Sequence, residues 1–136
     1  MAPSETSLPK VAVSWGELID KITILEIKEQ RLRSPEAAAN VRQELAALRA
    51  VTETLSPALA ELGPLKQQLK SINETLWEIE DQIRAKEAEQ SFDQGFIQLA
   101  RAVYHSNDER AQLKRDINVL LKSALVEEKQ YTPYRR

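Results

Sequence analysis

Residues 65–83 read LKQQLKSINETLWEIEDQI. Leu65, Leu69, Ile72, Leu76, Ile79 and Ile83 alternate by four and three, the heptad spacing of a helix that buries one seam against another helix. Neither Pro nor Gly interrupts the run, so the seam predicts one helix from near Pro64 to about Glu89. Further along, Phe96, Leu99, Val103, Ser106, Arg110, Leu113, Ile117, Leu120 and Ala124 keep the same rhythm. This second seam is apolar at both ends and polar in the middle. Asn107-Asp108 offers a cap for a new helix there, but a break normally resets the phase, and the unbroken phase favours one continuous helix. Ser91 and Gln94 have the spacing of a capping box and place its start.

Working back toward the N-terminus, Ser14 and Glu17 form another capping box, with Val13 and Leu18 placed as a hydrophobic staple. A helix is expected from about Trp15 to Leu32. Its apolar residues cover more than one face, which marks a buried helix. Asp20, Lys21, Glu26 and Lys28 lie on that wide apolar surface and need partners or an interface. Ser34-Pro35-Glu36 opens another helix, with Ser as cap and Pro in the first position. Its stripe is Val41, Leu45, Leu48 and Leu55. Ser56 to Pro64 carries two Pro and one Gly and reads as a break. Four helices with short connections imply an all-α fold, an antiparallel bundle of about four helices. Val11–Val13 and the segment after Leu125 are candidates for a short two-stranded ribbon. Residues 1–10 read as a flexible N-terminal segment, 11–131 as a single helical domain and 132–136 as a C-terminal tail.

Composition agrees. Ala, Glu, Lys, Leu and Arg make up half of the 136 residues, a bias of long helices, and there are only three Gly. All-β and doubly wound α/β folds are excluded. There is no cysteine, hence no disulfide, thiolate zinc site or cysteine nucleophile, and one histidine, His105, cannot supply a two-histidine zinc site. The net charge is −2 and basic residues are interspersed with acidic ones, so nucleic acid is not an expected partner. No apolar run approaches the ~20 residues of a membrane span, and the N-terminus lacks the apolar core of a signal peptide, which makes a cytoplasmic location the expectation and membrane insertion not.

Chemistry is expected where the seams of the two long helices flank the core. One residue past the first seam lie Asn73, Trp77, Glu80, Arg84 and Glu87; one past the second lie Tyr104, Asn107, Lys114 and Asn118. Such stripes would line a groove. Glu80 and Arg84 have the spacing of an ordinary exposed i,i+4 pair. Glu78-x-x-Asp81, with Glu26-x-x-Glu29 as a second acidic pair, has instead the spacing that Mg²⁺-dependent all-α nucleotide hydrolases use. Trp77 and Tyr104 read as packing at a helix crossing or as a stacking wall for a sugar or nucleobase. Arg110 lies in the seam itself. Its stem must enter the core, and its head either snorkels, pairs with Asp20 or Glu26, or captures an anion. Asn73, Asn107 and Asn118 have the alternative reading of fixing register, as buried Asn does in coiled coils, and His105 reads as a surface residue.

Residues 14–28 (SWGELIDKITILEIK), 73–87 (NETLWEIEDQIRAKE), 103–118 (VYHSNDERAQLKRDIN) and 125–129 (LVEEK) resemble the signature blocks of a bacterial family catalogued as a numbered domain of unknown function. The resemblance covers nearly all of the chain past residue 10. It implies a small, mostly helical protein, often encoded near glycosyltransferases of surface-polysaccharide pathways, and carries no activity, cofactor or catalytic residue. It raises Glu80, Asp81, Arg84, Asn107, Asp108, Arg110 and Lys114 as candidates. The leading expectation is a helical accessory or interaction protein in surface-glycan assembly, with a homodimer and a protein partner in that assembly, and no cofactor or metal. The alternative is a small-ligand enzyme with its site in the bundle, most concretely Mg²⁺-dependent nucleotide or sugar-nucleotide hydrolysis, less so a chorismate-mutase-like site. The ligand-binding candidates are Glu26, Asn73, Trp77, Glu80, Asp81, Arg84, Tyr104, Asn107, Arg110 and Lys114. The dimer expectation rests on Ile117, Leu120, Leu121 and Leu125, which overhang the helix that starts near Pro64.

Overall fold

The computed structural model of the chain describes residues 8–134, without the side chains of residues 56–59. The first seven residues of the expected N-terminal segment and the last two of the expected tail lie outside the described residues. Four α-helices follow in order: α1 (Trp15–Arg31), α2 (Pro35–Thr52), α3 (Leu59–Ala88) and α4 (Gln94–Leu120), with a 3₁₀ segment, Glu53–Ala58, joining α2 to α3. There is no strand among the described residues.

Local chemistry sets the helix ends. Ser14 caps α1 through its hydroxyl, which accepts from the Glu17 amide at 3.0 Å. The reciprocal half of the box is not made, because the Glu17 carboxylate is taken by Lys114 and Lys21. Ser34 caps α2, with Pro35 in its first turn. α3 begins five residues before the expected start at Pro64. Pro64 removes one backbone hydrogen bond, and the burial of Leu62 in the core holds the preceding turn in place. α4 is capped by Asp93 rather than Ser91: the Asp93 carboxylate accepts from the Phe96 amide at 3.0 Å. The Ser91 amide is committed to closing α3 by donating to the Lys86 carbonyl. α4 runs through its polar middle without a break.

The core gathers Leu18, Ile19, Ile22 and Leu25 of α1, Val41 and Leu45 of α2, Leu62 and Leu69 of α3, and Ile117 of α4. α1 is the central element. It packs on each of the other three helices, α3 lies along α4, and α2 and α4 do not touch. The wide apolar arc of α1 is thus used on three sides. Ile117 is fully buried, and Leu120 and Leu121 pack against the same core. The residues on which the expected dimer rested are therefore mostly covered within the chain, with Leu125 left exposed.

The terminal ribbon does not form. Val11 and Val13 are exposed, and no backbone ladder joins them to the C-terminal segment. The two ends meet through side chains instead: the Ser14 hydroxyl donates to Glu127 at 2.7 Å. Past α4 the chain turns at Lys122, whose φ is +51°, and the Ser123 amide donates to the Asn118 carbonyl. The segment then runs back along α4, tied by Arg115 to Glu128 at 2.9 Å and by the Tyr134 hydroxyl, which donates to Asp108. Among the described residues no helix is long and apolar enough to cross a membrane.

Candidate functional site

The N-terminus of α1 is plugged by α4 and the returning tail. The Gly16 amide donates to Asn118 Oδ1 at 2.6 Å, and the Trp15 amide to the Ser123 hydroxyl at 3.2 Å. These acceptors satisfy amides that a helix start leaves without intrahelical partners. A Cβ on Gly16 would lie 2.4 Å from the Lys114 carbonyl oxygen, so only glycine allows this approach. Lys114 Nζ sits 2.6 Å from Glu17. That hydrogen bond holds the Glu17 carboxyl below its ordinary value against the opposing effect of partial burial.

One turn further along α1 lies the polar layer. Asn73 of α3 is its hub and is only 5% exposed. Its Nδ2 donates to Asp20 Oδ1 at 2.8 Å and to the Thr23 hydroxyl at 3.0 Å. Thr23 in turn donates to the Asp20 carbonyl. Arg110 of α4 reaches the hub from the other side: Nη1 donates to Asn73 Oδ1 at 3.2 Å, and Nη2 to Asn107 Oδ1 at 2.6 Å. The phase argument for Arg110 holds, since its side chain enters the layer between α1 and α3. Its expected carboxylate partner is replaced by two amides, and Asp20 joins one hydrogen bond further on. Asn73 occupies the space between guanidinium and carboxylate and matches both, offering a carbonyl to one and an amide N–H to the other.

Glu26, the other expected partner of Arg110, belongs to a separate cluster with Arg49 (2.9 Å), Lys66 (3.1 Å) and Lys70 (3.7 Å). Burial pushes its carboxyl up, but hydrogen bonds from Arg49 and Lys66 outweigh this and leave it below its ordinary value.

Two depressions flank the polar layer and share Arg110. A groove of about 310 Å³ is lined by Ile24 and Ile27 of α1, Asn73, Leu76, Trp77 and Glu80 of α3, and Val103, Asn107 and Arg110 of α4. A larger cleft of about 620 Å³ lies under the returning tail, with Lys114 and Asn118 on one wall and Tyr131 and Tyr134 on the other. The groove brings together Asn73, Trp77, Glu80, Asn107 and Arg110 of the expected candidates. Lys114 lines the larger cleft. Asp81 is exposed and lines neither depression. Arg84 pairs with Glu80 at 2.7 Å on an exposed face, the bland reading of that spacing. Tyr104 leaves the groove and packs with His105 and Tyr134. Glu78 is held by Arg31 at 2.5 Å, and the Arg31 guanidinium lies 5.6 Å from the centre of the Trp77 ring. One member of each acidic pair, Glu78 and Glu26, is thus held by cations, and among the described residues no three His, Cys, Asp or Glu gather into a metal-binding group.

Several of these partners were not visible as a pattern. Thr23, Ser123, Glu127 and Tyr134 have no spacing that announces them. The one sequence signal was the Gly in the first turn of an otherwise well-formed helix, since a glycine there marks a close backbone approach.

No curated protein and no solved structure matches the chain. Residues 9–135 match the family described as a family of unknown function (DUF6165), and the chain belongs to that family.

Proposed function

We propose that the chain is a helical accessory protein that acts by binding another macromolecule rather than by catalysis. The observation that carries this reading is the dispersal of the candidate acid–base groups. Glu26, Glu80 with Asp81, and Lys114 lie in separate places, whereas a reaction needs such groups to converge on one pocket. The layer that contains the central arginine is closed on itself: no buried side-chain polar atom among the described residues is left without a partner. The partner it would bind is a second copy of the chain or a different protein. The setting in surface-glycan assembly rests on the family resemblance alone.

A small-ligand site is the second reading, favoured by the meeting of Trp77, Glu80, Asn107 and Arg110 on one groove. The two separate by experiment. Recovered from native extract, the chain should run in an assembly larger than its own 15.5 kDa, and the purified chain should release no phosphate from nucleotides or sugar nucleotides with Mg²⁺. Turnover that is lost in Asp81→Asn or Glu80→Gln would contradict the interaction reading.

A further inference from the structure

We infer that the groove between α1, α3 and α4 docks a single amphipathic helix of a partner protein, with an acidic residue at one end of the docked face and a basic residue about two turns away. This rests on the interaction reading above. The groove lies on a flank of α1 that the chain leaves open, because α2 packs on α1 and does not reach α4. Its middle is an apolar strip in which Ile24, Leu76 and Val103 are half-buried and the fully buried Ile27 forms the floor. The polar groups sit at its two ends instead of meeting at one point. Arg110 and Asn107 mark one end, beside the hub residue Asn73. Glu80, exposed over 54% of its side chain, marks the other. Asn73 and Glu80 are seven residues apart on α3, about 10 Å along the axis.

A small molecule site concentrates its polar groups around one ligand. An apolar strip with a charge of opposite sign at each end fits the apolar face of a helix, read as anchors at i, i+3, i+4 and i+7. At the inner end, Asn107 spends its carbonyl on Arg110 and keeps its amide N–H groups to donate, so that end recognises an acceptor such as a carboxylate. At the outer end, the exposed Glu80 carboxylate accepts from Arg84 through Oε1 and keeps Oε2 for a cation of the partner. Charge pairs at the rim select the partner and its direction, while burial of the strip supplies attraction.

The test uses the full chain and two fluorescent helical peptides. Both carry apolar anchors at helical spacing and a Glu at one end. Seven residues on, one has Lys and the other has a second Glu. Anisotropy should show the Glu/Lys peptide binding the native chain. Glu80→Lys, an exposed substitution whose fold is checked by circular dichroism, should weaken it about tenfold and should favour the Glu/Glu peptide instead. Absence of binding by either peptide at about 1 mM, or binding that ignores the charge at position 80, overturns the inference. If the native assembly still forms with Glu80→Lys in either case, the docking site is wrong and the interaction reading stands. If light scattering shows a dimer of the chain that Glu80→Lys dissociates, the occupant is a second copy and the inference of a different partner falls.

Discussion

Gly16 is where a single atom decides whether α1 can sit on α4. An added methyl meets the Lys114 carbonyl oxygen and the Asn118 side chain, the latter the acceptor of the Gly16 amide. Gly16→Ala should cost about 1–3 kcal/mol through overpacking and loss of the Asn118 bond, read as a lower urea midpoint. At Lys122 the sign reverses. Its left-handed backbone, with φ of +51°, is strained for a side chain and free for glycine. Lys122→Gly should raise stability by about 0.5–1 kcal/mol in the same measurement. One of these positions carries a signal in the sequence, unread above, and the other carries none. A glycine in a helix's first turn is an anomaly that asks for a reason. A helix end built on lysine, like the one built after α3 on Gln90 with φ of +55°, carries no mark.

At the scale of elements, the polar layer ties α1, α3 and α4 together through one residue. Asn73→Ala strands the buried Asp20 carboxylate and removes the N–H that the Thr23 hydroxyl accepts, leaving Thr23 its bond to the Asp20 carbonyl, and should cost about 2–4 kcal/mol. Arg110→Met should cost less, since Arg110 is half-buried at the edge of the network and its acceptors are neutral amides. Equal losses in urea titrations of the two variants would show that the hub has been misplaced. Two helix starts and the Glu26 cluster respond to acid. Hydrogen bonds hold the Glu17 carboxyl, through Lys114, and the Glu26 carboxyl, through Arg49 and Lys66, below their ordinary values despite partial burial, and Asp93 is held down to about 2 by the Phe96 amide and Lys86. Carboxyls lowered by folding add stability that is fully present above the unfolded value and is lost as pH falls through the folded one. Stability should therefore decline as the pH drops below about 4.5, and Glu17→Gln should show a shallower decline. The seams of α3 and α4 could be read in advance because a heptad phase does not depend on the partner. Their starts could not: Leu62 pulls the first turns of α3 into the core past Pro64, and the Ser91 amide is claimed by the end of α3.

Across the whole molecule, α1 is a central strut with α2 on one flank and an open groove on another. Half of the candidate site was visible as stripes one residue off the seams, which placed Asn73, Trp77, Glu80 and Asn107 together. Phase also put Arg110 in the layer. The identity of its partner required the relative placement of α1 and α3, which no periodicity encodes, and for the same reason Lys114 turned out to serve the start of α1 and Tyr104 to face the tail. The proposed working face of the molecule is the open flank of α1. A photo-crosslinking amino acid placed at position 80 on the rim of the groove, and separately at exposed position 42 on α2, tests it in the cells that make the protein. Position 80 should join the chain to one polypeptide in high yield and position 42 should not. Equal yields from the two positions, or a product from position 42 alone, would contradict the claim.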